Sequence, residues 1–153
     1  MNSEAVRYDA AQALTGPQQA QARSNIGAAP AAVVFTNTLA ADIALNNTSV
    51  YFDGPAVAQG TSGTFLALGQ VTINDASTAV IVVKLWDGAT VIASSEVVLL
   101  SSQTVAEISL SGICVNPAGN IRISVKSNTT TGKMGFNLTG NSKDCTLFAY
   151  KLA

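Results

Sequence analysis

The residue types that most often perform enzyme chemistry are scarce in this sequence. It has no histidine, the commonest general base and zinc ligand. Its two cysteines, Cys114 and Cys145, have no partner base that would activate a thiol and no metal-ligand spacing. We therefore expect no catalytic residue, no metal centre and no bound cofactor.

The carboxylates occur singly, and three of them, Asp75, Asp87 and Asp144, fall at expected turns. A glycosidase needs two carboxylates facing one cleft, and distant strands could assemble such a pair. Loop-tip aspartates could also bind calcium, although no Asp-x-Asp-x-Asp-Gly loop is present. We prefer a structural role at turns to glycoside hydrolysis or calcium binding for these aspartates.

Two aromatic residues, Tyr51 and Trp86, are candidates for stacking against sugar rings on the surface of a β domain. A lone tryptophan beside a strand-end hairpin more often packs half-buried against its own strand neighbours. We favour packing for Trp86.

Charged residues make up 11% of the chain, against about 25% in an ordinary soluble domain. The net charge of −1 provides no clustered basic surface for nucleic acid. A surface so poor in charge is usually covered by copies of itself or by a larger assembly. The composition thus predicts an interaction protein that forms a dimer or trimer.

The charges divide unevenly along the chain. Residues 28–112 carry six acids and one base, whereas residues 121–153 carry five bases and one acid. Strands distant in sequence interleave in a sandwich, so the preferred interpretation is that the division disappears in the fold. The alternative is a basic face that meets an acidic face on a neighbour.

The longest uninterrupted apolar runs, such as residues 79–83, are far shorter than the roughly 18 residues that span a bilayer. The first residues lack the basic and apolar regions of a signal peptide. We expect synthesis in a cytoplasm, no membrane partner, and cysteines that are buried thiols rather than a disulfide.

The first 30 residues are rich in alanine and glutamine and differ from the remainder of the chain. Thr15 and Gln18 form a Thr-x-x-Gln capping box, so a short helix is predicted from Gly16 to Asn25. Gly27 suits the position after the helix, and Pro30 prevents its continuation. We assign residues 1–30 to an attachment segment and residues 31–153 to a separate domain. The alternative is that residues 1–30 pack against that domain and complete its core.

From about residue 31 apolar and polar residues alternate with period two, which is typical of half-buried strands. The Asp-Gly pair at residues 87–88 predicts a short hairpin. Strands are expected near residues 48–53, 63–73, 78–86, 91–99, 104–110, 121–126, 133–139 and 145–152, and residues 32–39 are a candidate for one more. The fold class is therefore all-β: an antiparallel β-sandwich of jelly-roll type with about eight strands.

Residues 7–15 read Arg-Tyr-Asp-Ala-Ala-Gln-Ala-Leu-Thr, and residues 21–28 read Gln-Ala-Arg-Ser-Asn-Ile-Gly-Ala. They resemble a motif of bacteriophage fibre and head-decoration proteins, Tyr-Asp-x-x-Gln-x-Leu-Thr followed by Gln-x-x-Gln-Ala-Arg-x-Asn-Ile-Gly-Ala. Residues 83–88 and 120–125 look like the jelly-roll domain attached to that motif in phage decoration, head-fibre and cement proteins.

The resemblance implies a structural virion protein on the outer surface of the capsid, whose partner is the major capsid protein or another virion component. A single motif copy, without repeat shaft or coiled coil, favours a decoration or cement protein. The alternative is a head-fibre or tail-fibre tip that binds host-surface glycans. The expected capsid contacts are the apolar Leu14 and Ile26, the amphipathic Tyr8, and Arg23, which can bond a carboxylate or carbonyl.

Overall fold

A computed structural model describes residues 13–28 and 33–152 of the chain. The chain separates into two compact units, residues 1–32 and 33–153. The predicted boundary between residues 30 and 31, and Pro30 itself, lie outside the described residues.

Within residues 13–28, the described part of the N-terminal unit, the chain forms the helix α1 (Gly16–Asn25). Its start is organised by Thr15, whose extended backbone places its N–H group 2.9 Å from Gln18 Oε1, to which it donates a hydrogen bond. Pro17 occupies the first turn, where its missing N–H group costs no helix hydrogen bond. The predicted helix start is confirmed.

The end of α1 is a Schellman motif. Gly27 adopts a φ of 66°, a conformation that glycine reaches without steric cost. The N–H group of Ala28 then donates to the carbonyl oxygen of Arg23 at 2.8 Å, and that of Gly27 donates to Ser24 at 3.2 Å. The helix therefore satisfies its terminal groups locally, yet it buries none of its side chains.

The second unit is a sandwich of two antiparallel sheets, as the alternating pattern predicts. Its strands are β1 (Val33–Thr38), β2 (Ile43–Ala44), β3 (Phe52–Val57), β4 (Thr64–Asn74), β5 (Ala79–Trp86), β6 (Val91–Leu99), β7 (Val105–Val115), β8 (Ile121–Ser127), β9 (Lys133–Met134) and β10 (Thr146–Lys151).

The strand order is that of a jelly roll. One sheet runs β1-β10-β4-β7 and the other runs β3-β8-β5-β6. Because β7 pairs with β4 along its whole length, β10 and the short β9 share the opposite edge of β4, and β2 continues beyond β9. The predicted fold class is confirmed, with eight longer strands and two of two residues.

The core lies between the sheets and is built from alternate positions of each strand. On β4, Phe65, Ala67 and Val71 point inward and are fully buried. The ring of Phe35 meets that of Phe65 edge to face, with centroids 6.3 Å apart. From the other sheet, Ile123 joins the same core.

The strand predicted at residues 48–53 is wrong by about four residues, since β3 covers 52–57 instead. The Asn47 side chain accepts a hydrogen bond from the Ser49 N–H group at 2.8 Å and holds this segment as a turn. Pro55 is tolerated within β3 because the pairing with β8 is irregular between Asp53 and Ala56.

The strand predicted at residues 104–110 is longer than expected, because β7 continues through Gly112 to Val115. A Cβ atom at Gly112 would lie 2.6 Å from Ile92 Cγ2. This glycine therefore allows a neighbouring side chain to approach the strand and does not mark its end.

The strand predicted at residues 133–139 is wrong beyond Met134, because only β9 pairs there. The chain then forms a compact loop in which Asn137 Oδ1 accepts the Ser142 N–H group at 2.8 Å. Positive φ angles at Gly140 (82°) and Ser142 (54°) turn the backbone away from the sheet.

Both cysteines are free and buried in the sandwich. Burial raises the pKa of the Cys114 and Cys145 thiols, so both remain protonated and unreactive at neutral pH.

We expect a thiol reagent such as Ellman's reagent to label the native protein very slowly and to label two thiols after unfolding. A Cys114→Ala variant should leave one, and rapid labelling of the native chain would contradict the expectation.

Candidate functional site

The predicted contact residues lie at both ends of α1. Leu14 is half-buried just before the helix, whereas Arg23 is half-buried in its last turn and Ile26, which is 69% exposed, follows it. The ten-residue helix between Leu14 and Ile26 is about 15 Å long, so of these three side chains only Arg23 and Ile26 are close together. Tyr8 lies outside the described residues.

Small side chains border Arg23 on this helix. A shallow recess is lined by Ala20, Arg23, Ser24 and Ala28. Small residues permit another surface to approach the helix backbone closely, and the guanidinium group at the rim can bond a carboxylate or carbonyl oxygen there. This recess is therefore a candidate docking surface.

The outer face of the β3-β8-β5-β6 sheet carries a cluster of aromatic and cationic side chains. Lys84 Nζ lies 4.1 Å from the centroid of the Tyr51 ring and 3.2 Å from that of the Trp86 ring. The Arg122 guanidinium carbon lies 5.3 Å from the Trp86 centroid. Desolvation lowers the pKa of Lys84, while the charge of Asp53 opposes that shift.

Hydrogen bonds connect this cluster across three strands. Trp86 Nε1 donates to Ser124 Oγ at 2.7 Å, and Ser124 Oγ donates to Asp53 Oδ1 at 2.6 Å. Arg122 Nη1 lies 2.9 Å from the other Asp53 oxygen. Trp86 is half-buried, as predicted, and because Lys84 lies over both rings, this arrangement favours a structural role over sugar stacking.

The aspartates Asp75, Asp87 and Asp144 are buried, and each organises a loop at the end of a strand. Asp87 follows β5 and accepts backbone N–H groups from Ala89 at 2.9 Å, Thr90 at 2.6 Å and Ala118 at 2.9 Å. Burial by itself raises the pKa of Asp87, but the N–H donors outweigh it and the net shift is downward.

Asp75 follows β4 in the same manner. It accepts hydrogen bonds from Thr129 Oγ1 at 2.5 Å, Thr131 Oγ1 at 2.7 Å and the Ser77 N–H group at 2.9 Å. Burial raises its pKa, and these donors lower it to a net downward shift.

Asp144 lies just before β10, and the Thr139 hydroxyl and N–H groups bond to it and lower its pKa. With Asp75 and Asp87 it supports the interpretation of these residues as turn organisers. Within residues 13–28 and 33–152, no three side chains of metal-ligating type lie close enough to hold an ion.

Two ion pairs within the chain join the acidic stretch of the sequence to the basic stretch. Asp53 pairs with Arg122 at 2.9 Å, and Asp42 pairs with Lys133 at 2.5 Å. Each pair joins an acid from the acidic stretch to a base from the basic stretch. These two pairs agree with the preferred interpretation, in which strands distant in sequence bring opposite charges together.

The outer face of the β1-β10-β4-β7 sheet is a feature that the sequence analysis did not identify. Its outward positions include Val34, Phe148, Leu66 and Ile113. Its charged side chains in the described strands, Glu107 on β7 and Lys133 on β9, lie at one end, beside Thr72 and Asn74 of β4. The outward positions from Leu66 to Gln70 of β4, and their partners on the neighbouring strands, carry no charge. We call this surface the uncharged face. The outward leucines of β4 were visible in the sequence as apolar residues on the solvent side of a strand. Which residues of other strands lie beside them depends on strand pairing, which the sequence does not specify.

No protein-family model and no curated protein sequence matches the chain. Among solved structures, the chain is similar to Eiger TNF from S. frugiperda, at 12% identity and a TM-score of 0.52, over 80% of this chain and 92% of that one. At this identity the likeness shows a shared fold alone.

Two further similarities are weaker. A pentameric capsid protein isolated from metagenomic phage sequences is 13% identical, with a TM-score of 0.38, over 97% of this chain and 81% of that one. The C-terminal CBM6 of LamC from Zobellia galactanivorans is 12% identical, with a TM-score of 0.38, over 78% of this chain and 98% of that one.

Among the residues that the structure describes, no helix has the length and apolar character needed to cross a membrane.

We expect an Asp87→Asn substitution to lower the free energy of unfolding by about 2 kcal/mol at neutral pH. The asparagine would lose the charge, and its amide nitrogen would face an N–H donor.

The stability of the protein should also depend on pH. Because the pKa values of the three buried aspartates are depressed, their contribution to the free energy of unfolding is complete above about pH 4 and is lost as the pH falls further. Denaturant titrations at several pH values measure both effects.

The exposed Glu107 provides the control, because Glu107→Gln should change stability by less than about 0.5 kcal/mol. An Asp87→Asn protein with the stability and acid sensitivity of the native chain would show that the carboxylate does not organise its loop.

Proposed function

We propose that the protein is a structural component of a bacteriophage virion, a decoration or cement protein on the outer surface of the capsid. The observation that carries the proposal is α1 (Gly16–Asn25), a helix whose two ends are satisfied by local hydrogen bonds although none of its side chains is buried.

Ten helical residues are marginally stable in water, even with good caps. Most helices of this length gain their stability by burying an apolar stripe against a neighbour. The exposed Ile26 and the small residues beside Arg23 therefore support docking to another molecule. The resemblance of residues 7–28 to the phage motif identifies that molecule, in this proposal, as the capsid or another virion component.

The sandwich would then cover the particle or project from it. A protein that binds the assembled lattice and not its separate subunits stabilises the lattice by its binding free energy. Many copies on one particle act together, so a modest affinity for each site suffices. The low charge content of the chain agrees with a surface that is partly covered in the assembly.

The proposal includes no catalysis. The buried carboxylates of Asp75, Asp87 and Asp144 already accept bonds from nearby N–H and hydroxyl groups. A carboxylate held ionised in this way is poorly suited to general acid catalysis, which requires a raised pKa.

The second candidate is a head-fibre or tail-fibre tip that binds host-surface glycans. It is favoured by the presence of Tyr51 and Trp86 on one sheet face, beside the carboxylate of Asp53. A sugar would have to displace Lys84 from the rings, so this candidate is the weaker one. Copy number separates the two functions, because cement proteins are present in hundreds per virion and fibre tips in few.

An Ile26→Lys substitution should weaken binding to capsids that lack the protein by about tenfold or more, because it removes an apolar anchor. Lysine suits the C-terminal end of a helix, so α1 should be preserved. Co-sedimentation of the full chain with such capsids measures the affinity.

The control is Val98→Lys on β6, which places the same charge on a side chain that is 54% exposed in the sandwich. It should bind as the native chain does. Equal affinity of the native protein and the Ile26→Lys variant would refute attachment through this helix, and failure of the native chain to bind would refute the proposed function.

A further inference from the structure

We propose that the uncharged face binds a second copy of this chain, forming a two-fold dimer. The inference does not depend on the virion role. It rests on the outward side chains of β1, β10, β4 and β7, whose pairing is fully described.

The uncharged face has an apolar half and a recessed half. The first half is a row across the four strands, consisting of Val34, Tyr150, Leu66 and Ile113. The second half is a row of shorter or polar side chains, consisting of Thr38, Thr146, Gln70 and Ser109. The row between them contains Phe148 and Leu68.

A shallow depression of about 260 Å³ lies over the recessed half, lined by Leu68, Gln70, Ser109, Ser111, Thr146 and Phe148 on its outer side. A two-fold rotation about an axis through the middle row would place the apolar row of each copy over the depression of the other. The face is therefore complementary to itself, as an isologous contact requires.

The scarcity of charge on the uncharged face also favours a second copy of the chain as its partner. In a two-fold contact each side chain near the axis meets its own counterpart, so a charged residue there would meet a like charge. The opposite face of the sandwich carries Asp53, Lys84 and Arg122. On the uncharged face, Glu107 and Lys133 lie at one end, beyond the rows that would form the contact. The uncharged face can meet itself without burying a charge.

The area of the uncharged face indicates how tightly two copies would bind. Four strands at about 4.8 Å spacing and six residues at about 3.3 Å each give about 400 Å² in projection per copy. Two copies then bury about 800 Å² in projection, which is less than the about 1,000 Å² of a stable interface and is typical of weak, transient contacts. We expect a dimer with a micromolar dissociation constant, which copies concentrated on one particle would populate fully.

Sedimentation velocity of the full chain, from about 1 µM to about 0.1 mM, tests the proposal. The native chain should shift from monomer to dimer over this range. Ile113→Lys on β7 and Val34→Lys on β1 should each raise the dissociation constant by about tenfold or more, since each brings like charges into the contact. The matched control is Val98→Lys, because Val98 is 54% exposed and Ile113 is 53% exposed, each on an outer strand of its sheet.

Thermal unfolding of each variant checks that it folds, and Val34→Lys tests the same face if Ile113→Lys does not. A native chain that remains monomeric at the highest concentration overturns the proposal, as does a trimer. A dimer that both lysine variants leave intact places the contact on another surface.

A different result is expected if residues of the same chain cover the uncharged face. The native chain would then remain a monomer, and Ile113→Lys would lower the unfolding temperature whereas Val98→Lys would not. Because no capsid is present, none of these outcomes bears on attachment through α1.

Discussion

The pairing of β4 (Thr64–Asn74) along both of its edges is the constraint on which the sandwich depends. It holds β7 on one side and β10 with β9 on the other, so its register decides which side chains of that sheet enter the core. A slip by one residue would expose Phe65 and bury Leu66 instead. Gly69 is a point of close packing on this strand, since a Cβ atom there would lie 3.1 Å from Leu147 Cδ1 and 3.2 Å from Ile123 Cδ1. The second sheet, through Ile123, thus packs directly against the backbone of β4.

The loops at the ends of three strands are held by hydrogen bonds to buried carboxylates. Asp75 follows β4, Asp87 follows β5, and Asp144 precedes β10, and each accepts hydrogen bonds from the loop that it joins. A buried carboxylate would be costly without these donors, and the loop N–H groups would be costly without the carboxylate. The acidic residues that first suggested glycosidase or calcium chemistry are therefore occupied in holding loops, which accounts for their position in the sequence.

The two outer faces of the sandwich differ in how they treat charge. On one, Lys84 lies over the Tyr51 and Trp86 rings, and Arg122 forms an ion pair with Asp53. The other face has almost no charge and exposes Val, Leu, Ile and Phe side chains to solvent. An apolar sheet face left open is common where a protein meets another surface. The proposed attachment helix and the uncharged face would give the molecule separate contacts for the particle and for its own copies.

Local chemistry in the sequence determined the elements whose signals are contained in a few adjacent residues. The capping pair Thr15 and Gln18 sets the start of α1, Gly27 sets its end, and the Asp-Gly pair after Trp86 sets a hairpin, so these were predictable. The motif in residues 7–28 remains a prediction of attachment. Only the tertiary structure decided the length of β7, where Gly112 accommodates Ile92. It also decided the pairing of early acids with late bases and the gathering of outward residues from four strands into one uncharged face. These features join residues far apart in the chain, and strand register, which period-two patterns leave open, determines which of them meet.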